Sequence, residues 1–234
     1  MIIHGLNKTT LLDFPGKVAC TVFTGGCNMR CIFCQNAPLV LSPEREPQIP
    51  EEEFFRFLEK RRGILEGVCI TGGEPTLRDD LEAFVRKIRD AGELEVKLDT
   101  NGLRPDVLSK LLSEHLVDAV AMDIKGDPDS YPRIAGISSD MVDRVRESAA
   151  ILMASGIDYE FRTTIFDGML SDNAFENIGR WLSGAGTYYL QAFEDSGACM
   201  TSGLGRPKDS DLERYRDILS RYVKNVRIRG MVYG

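Results

Sequence analysis

The sequence predicts an α/β fold: a partial (β/α)6 barrel of parallel strands, left open along one side. Three observations predict it. Short apolar runs alternate with amphipathic stretches along almost the whole chain. The strand–helix units recur every roughly 25 to 35 residues, the length of a right-handed crossover unit. The residues least suited to a buried core gather just after the apolar runs, where a parallel barrel collects its chemistry.

The strands are read in order as Val18–Phe23, Val68–Thr71, Val96–Asp99, Ala119–Asp123, Tyr159–Ile165 and Tyr188–Phe193, with Val226–Arg229 as a last addition. They are short and mainly apolar, as strands between two layers of helices are. The helices are read as Glu51–Arg62, Asp79–Ala91, Pro105–Glu114, Met141–Ala154, Asn173–Leu182 and Asp211–Tyr222. Pro105 suits a first helical turn, and Gly92 and Gly156 stand where helices should end. Ser210-Asp-Leu-Glu213 has the pattern of a capping box. Ser42–Pro50, with three prolines, reads as a surface excursion. No residue pattern repeats between units, which sets a solenoid aside. The expectation is one domain over residues 1–234, its cysteine loop at 24–37 and its core at about 17–230.

Composition narrows the function classes. A 43 % apolar content supports a sizeable core in 234 residues. A net charge of −7 disfavours a general nucleic-acid binder. The start, Met1-Ile-Ile-His-Gly5, lacks the basic and apolar segments of a secretory leader, and no apolar run reaches membrane-spanning length. Six cysteines without paired spacing suit a reducing interior, so the expected location is the cytoplasm, with no membrane partner. One basic concentration stands out: Arg214, Arg216, Arg221, Lys224, Arg227 and Arg229. It reads either as a solvated helix face running into the last strand or as a dock for an acidic partner.

The decisive feature is Cys27-Asn-Met-Arg-Cys31-Ile-Phe-Cys34. Three thiolates can hold three irons of a [4Fe–4S] cluster and leave the fourth to a ligand that is not protein. Half of a zinc site is the competing reading, with buried packing the third. Thr71-Gly72-Gly73-Glu74-Pro75 follows the second strand, and paired glycines let backbone approach a ligand closely. Asp99-Thr100-Asn101-Gly102 ends the third strand, where Asn-Gly suits a tight turn and a buried carboxylate needs a partner. Asp123 and Lys125, two residues apart on the fourth strand, share a side and could neutralise each other. Cys20 and Cys69 lie within strands as core residues, whereas Cys199 sits in a polar segment read as a flap. His4 and His115 belong to no base or nucleophile constellation.

The C-x3-C-x2-C loop and the G-G-E-P turn resemble those of the radical S-adenosylmethionine (SAM) enzymes. D-T-N-G after the third strand and D-I-K after the fourth resemble the glycyl-radical-enzyme activases, with the activators of anaerobic ribonucleoside-triphosphate reductase most similar. Leu11-Leu-Asp13-Phe-Pro15-Gly16 and Cys34-Gln35-Asn36 carry the resemblance outward, so that it spans about Leu6 to Gly230. It implies a [4Fe–4S] cluster on Cys27, Cys31 and Cys34, with SAM on the open iron. Gly72, Gly73 and Glu74 would receive the SAM amino group, and Phe33, Cys34 and Gln35 its adenine edge. Asp123, Lys125 and Arg162 would also lie at SAM. Asp99, Thr100 and Asp123 would form a monovalent-cation site, whose hard oxygen ligands suit such an ion. Asp13 would meet the partner's peptide. Gln191 and Phe193 stand where some activases carry a histidine, which leaves the adenine or substrate contact of that strand unassigned.

The implied reaction takes one electron from a donor such as flavodoxin or ferredoxin, cleaves SAM and moves a hydrogen atom from a partner glycine. The cofactors carry the hard step, so no acid–base dyad is needed. Two other readings compete. One is a radical SAM enzyme acting on a small molecule, as in deazapurine synthesis. The other is a metal-stabilised binding or electron-transfer module, which leaves Gly72–Glu74, Asp99 and Asp123 without a role.

Overall fold

The computed structural model describes residues 1–231. The fold is α/β and mostly parallel, and the strands follow chain order along the sheet, from β1 at one end to β8 at the other. The chain divides into two compact units, residues 1–28 with 38–121, and residues 29–37 with 122 onward.

The first unit holds β1 (Gly5–Thr10), β2 (Ala19–Thr24), β3 (Gly67–Gly72) and β4 (Glu95–Thr100), with the start of β5 (Ala119–Asp123). β2, β3 and β4 are parallel, registered Ala19↔Gly67 and Gly67↔Glu95. β1 pairs antiparallel with β2. The sequence reading missed β1 because GLNKTT has no apolar alternation, and three of its six residues are exposed. Helices α1 (Ala37–Leu41), α2 (Glu51–Lys60), α3 (Leu81–Ala91) and α4 (Pro105–Ser113) follow the strands, and Pro105 opens α4 as expected. Phe54 and Phe84 pack 5.4 Å apart between α2 and α3. Cys20 and Cys69 are fully buried, and burial pushes the Cys20 thiol up to about 12, so it stays protonated.

The second unit holds β6 (Asp158–Ile165), β7 (Thr187–Ala192) and β8 (Asn225–Arg229), parallel and registered Phe161↔Tyr188 and Tyr188↔Val226. Its helices are α5 (Tyr131–Ala135), α6 (Val142–Ser155), α7 (Asp172–Trp181) and α8 (Asp209–Leu219). Gly156 ends α6 in the left-handed region, at φ 76°, as its place in the sequence suggested. Phe175 of α7 stacks on Tyr215 of α8 at 4.0 Å. The capping box at Ser210 does not form: α8 starts two residues earlier than read, Lys208 stands at its cap, and Asp209 pairs with Arg206 instead. Ser171 does cap α7, its hydroxyl accepting from the Ala174 N–H. Of the basic C-terminal side chains, Arg214 pairs with Asp172 and Asp211, and Arg221 with Glu176, on the solvated face that the first reading described. Among the described residues no helix is long and apolar enough to cross a membrane.

Candidate functional site

In the first unit three loops leave the ends of β2, β3 and β4 and lock together. The Gly73 N–H donates to the Thr24 carbonyl and the Glu74 N–H to the Gly26 carbonyl, both at 2.8 Å. That approach requires glycine. A Cβ on Gly73 would lie 1.9 Å from the Gly26 oxygen, and one on Gly72 (φ +117°) 2.3 Å from the Thr24 nitrogen. Gly26 donates in turn to the Leu39 carbonyl, fixing the backbone that enters Cys27.

Glu74 is 1 % exposed and holds the loops together. Its Oε1 accepts from the Thr76 N–H and hydroxyl at 3.1 and 2.5 Å and from the Thr100 hydroxyl at 2.7 Å. Its Oε2 accepts from the Asn101 N–H at 2.7 Å. Burial pushes its pKa up, and the donors from Thr76, Asn101 and Thr100 pull against that. The Asn101 side chain, read from sequence as part of a turn, donates to Asn28 Oδ1 at 2.8 Å and to the Cys27 sulfur at 3.7 Å. Its own Oδ1 accepts from the Leu103 N–H, forming the turn as well. Asp99 is paired with the ammonium of Lys97, a residue 2 % exposed on the same side of β4. Asp13 accepts from the Thr21 hydroxyl at 2.5 Å.

In the second unit the Cys31–Cys34 segment is braced by α5, an element the sequence reading did not identify. Arg30 and Ile32 donate to the carbonyls of Ala135 and Ile134 at 2.8 and 3.1 Å. Gly136 (φ +65°) closes α5 where a Cβ would meet the Arg30 carbonyl at 2.8 Å. Met29 and Phe33 anchor the segment in the core, and Cys31 is buried while Cys34 is half-buried. The polar segment after β7 ties onto it: Gln35 Nε2 donates to the Glu194 carbonyl at 2.6 Å and Met200 N–H to the Cys34 carbonyl at 2.9 Å. Phe193, 1 % exposed, is in the core.

Asp123 accepts from Arg162 Nε at 3.0 Å and from Lys125 Nζ at 3.1 Å. Burial would raise its pKa, but the two cations outweigh burial and hold it down to about 2. Lys125 is likewise raised despite burial, by Asp123 and by Cys31, and it lies 5.4 Å above the Phe33 ring. Tyr131 of α5 donates to the Asp123 carbonyl at 3.3 Å. Beyond Arg162, Glu160 accepts from both terminal nitrogens of Arg229, at 3.1 and 3.2 Å. Arg229 stacks on Tyr189, and Gln191 stands opposite Arg229 in the register. Arg229 was noted in the sequence only as part of the basic C-terminal concentration, and Glu160 and Tyr189 were missed, although the alternation Glu160, Arg162, Thr164 was there to be read.

The donor set is soft thiolate, the chemistry of an iron–sulfur centre. Among the described residues no three His, Cys, Asp or Glu side chains converge as the ligands of one metal ion do. A cluster asks something else of its cysteines, one thiolate for each of three irons.

Comparison with known proteins places this arrangement. The radical SAM superfamily model matches residues 21–182. A Methanocaldococcus jannaschii protein, provisionally assigned as a glycyl-radical enzyme activating enzyme, is 28 % identical over 97 % of this chain and 95 % of its own length. A GTP 3′,8-cyclase of Nautilia profundicola is 32 % identical over 62 % of this chain, which spans 46 % of that protein. Among solved structures, Streptococcus suis SuiB bound to S-adenosylmethionine superposes with a TM-score of 0.67 at 16 % identity, over 88 % of this chain and 49 % of SuiB. QueE from Escherichia coli superposes with a TM-score of 0.55 at 14 % identity, over 98 % of this chain and 94 % of QueE. These likenesses establish the fold, and the family match covers most of the chain. The protein belongs to the radical SAM superfamily and is a radical SAM enzyme, a family that implies a [4Fe–4S] cluster and S-adenosylmethionine.

Proposed function

We propose that this protein generates a glycyl radical on a partner enzyme, and that the partner is an anaerobic ribonucleoside-triphosphate reductase. The observation that carries the activase reading is the end-to-end match to the M. jannaschii protein, where the cyclase match is partial. In this reading Cys27, Cys31 and Cys34 hold the cluster. When bound, the cluster and SAM supply one-electron cleavage of a sulfonium carbon–sulfur bond, and with it the removal of a hydrogen atom from the partner's glycine. A flavodoxin or ferredoxin supplies the electron, and the setting is anaerobic and cytoplasmic.

The chain's own residues bind and orient. The Gly72–Glu74 backbone receives the SAM amino group, and the Glu74 side chain, occupied by Thr76, Thr100 and Asn101, keeps that backbone in place. Asp123, Lys125 and Arg162 take the polar end of SAM. Phe33, Gln35 and Gln191 bound its adenine side, while Phe193 stays in the core. Asn101 donates to the Cys27 sulfur and raises the cluster potential. Asp13, steadied by Thr21, meets the partner peptide. A monovalent cation at Asp99, Thr100 and Asp123 would compete with Lys97, which already sets an ammonium on Asp99.

The test is anaerobic reconstitution with iron and sulfide, reduction, and addition of SAM with and without the purified reductase. The expected products are 5′-deoxyadenosine and a glycyl doublet in the electron paramagnetic resonance spectrum of the reductase, both absent in Cys31→Ala. 5′-Deoxyadenosine formed with GTP alone, and no doublet with the reductase, would instead support a small-molecule enzyme, the reading that the cyclase match favours.

A further inference from the structure

The strands of the second unit carry an unusual face. In register, Arg162, Tyr189 and Arg227 form one row, and Thr164, Gln191 and Arg229 the next. One step earlier stand Glu160, Thr187 and Asn225. With Asp158 at the start of β6, all ten positions on this face are polar or tyrosine. The opposite face carries Phe161, Ile165, Tyr188, Leu190, Val226 and Ile228, with Thr163 bonded to the Tyr188 hydroxyl; Phe161, Tyr188 and Leu190 are fully buried. Parallel strands in an α/β fold are normally apolar on both faces. A polar face on such strands is built for a polar ligand rather than for packing.

The charges on and beside this face do not cancel. Arg162, Arg227, Arg229 and Lys125 stand against Asp123, Asp158 and Glu160, an excess of one positive charge in a chain whose net charge is −7. Asp123 is taken by Arg162 and Lys125, and Glu160 by Arg229. Arg227 is exposed, and among the described residues it has no ion-pair partner. The Arg229 guanidinium carbon lies over the Tyr189 ring, 3.4 Å from its centroid, and the Glu160 contact uses two of its five N–H donors. The remaining donors are fixed in place before any ligand arrives.

From this we infer that the β8 arginines, Arg227 with Arg229 on its Tyr189 platform, form a specificity site for an acidic, extended peptide segment of the partner protein. The inference deepens the activase reading and rests on it. The spacing argues for peptide. Two arginines two residues apart on a strand sit about 6.6 Å apart along it, the repeat of side chains on one side of an extended chain. Carboxylates at alternate positions of such a segment match that spacing, whereas the phosphates of one nucleotide lie closer together. Thr164 and Tyr189 add neutral polar groups for the segment's backbone.

The experiment measures binding of labelled glycine-rich peptides to the reconstituted, SAM-loaded enzyme by fluorescence anisotropy. Three peptides carry glutamate, glutamine or lysine at alternate positions. The glutamate peptide is expected to bind at least about fivefold more tightly than the glutamine one, and less so in high salt. Arg227→Gln should cost about threefold and Arg227→Glu about tenfold, while Arg227→Glu improves binding of the lysine peptide. Arg227 is exposed, so these variants keep the fold, and circular dichroism checks that they do. Equal binding of the glutamate and glutamine peptides, indifference to Arg227→Glu, or binding of GTP in place of the acidic peptide would each overturn the inference. The glycyl radical signal reads the activase proposal separately. Acid-selective binding without that signal fails the activase reading alone, and the signal without acid selectivity fails this one alone.

Discussion

Replacing Glu74 by glutamine separates two roles that the G-G-E-P turn could give this residue. The carboxylate accepts four hydrogen bonds, three at Oε1 and one at Oε2, from groups on the loops after β3 and β4. Glutamine can keep its oxygen on the three donors from Thr76 and Thr100. Its amide nitrogen then faces the Asn101 N–H, donor against donor, in a place 1 % exposed to solvent. Turning the amide over is worse, since three donors would then face the nitrogen. One lost bond to a charged acceptor and one buried, unsatisfied N–H together cost about 2–3 kcal/mol. In a chain of this size that lowers the melting temperature by roughly 4–12 °C. The assay is thermal and urea unfolding of the cluster-free Glu74→Gln protein beside the parent, with SAM affinity measured on the reconstituted form. The expected result is lost stability accompanied by weaker SAM binding, because the Gly72–Gly73 backbone is no longer held. Unchanged stability with abolished SAM binding would refute the reasoning and put the carboxylate itself on the ligand.

Three further outcomes are expected. Asp123 has a folded pKa of about 2 against an ordinary 3.8, so its contribution of about 2 kcal/mol is complete above pH 4 and is lost as pH falls from there toward 2; Asp123→Asn should remove that acid dependence in parallel urea titrations at pH 7 and pH 3. Asn101→Ala removes the N–H donor at the Cys27 sulfur, and a potentiometric titration followed by electron paramagnetic resonance should place the cluster about 20–40 mV lower, the equivalent of one modest hydrogen bond. Lys97→Gln takes the ammonium from Asp99, so calorimetric SAM affinity should become sensitive to exchange of potassium for choline, to which the parent responds little.

Much of this protein was legible in its sequence because the signals are local. A thiol at each of positions 27, 31 and 34 is a chemical fact of the chain, and no folding is needed to see that three soft ligands share one loop. The parallel strands and long helices were legible for the same reason: burial imposes a period on neighbouring residues, and Val68–Thr71 or Ala119–Asp123 shows it directly. Boundaries moved by one to three residues, most at the end of α8, as helix ends do. β1 was not legible, since an edge strand with polar residues carries no period, and α5 was too short to show one. The pairing of Asp123 with Lys125 could be foreseen from their spacing, but the choice of Arg162 as second partner could not, because it crosses from β5 to β6. Glu74 and Asn101 make the same point. In the sequence they are a turn glutamate and a turn asparagine; only the approach of the loops after β2, β3 and β4 makes one a shared acceptor and the other a donor to a cysteine sulfur. The sequence by itself determined which atoms can carry the chemistry. The tertiary structure decided which polar groups hold those atoms in place, because buried donors and acceptors must find partners and the nearest ones lie on other strands.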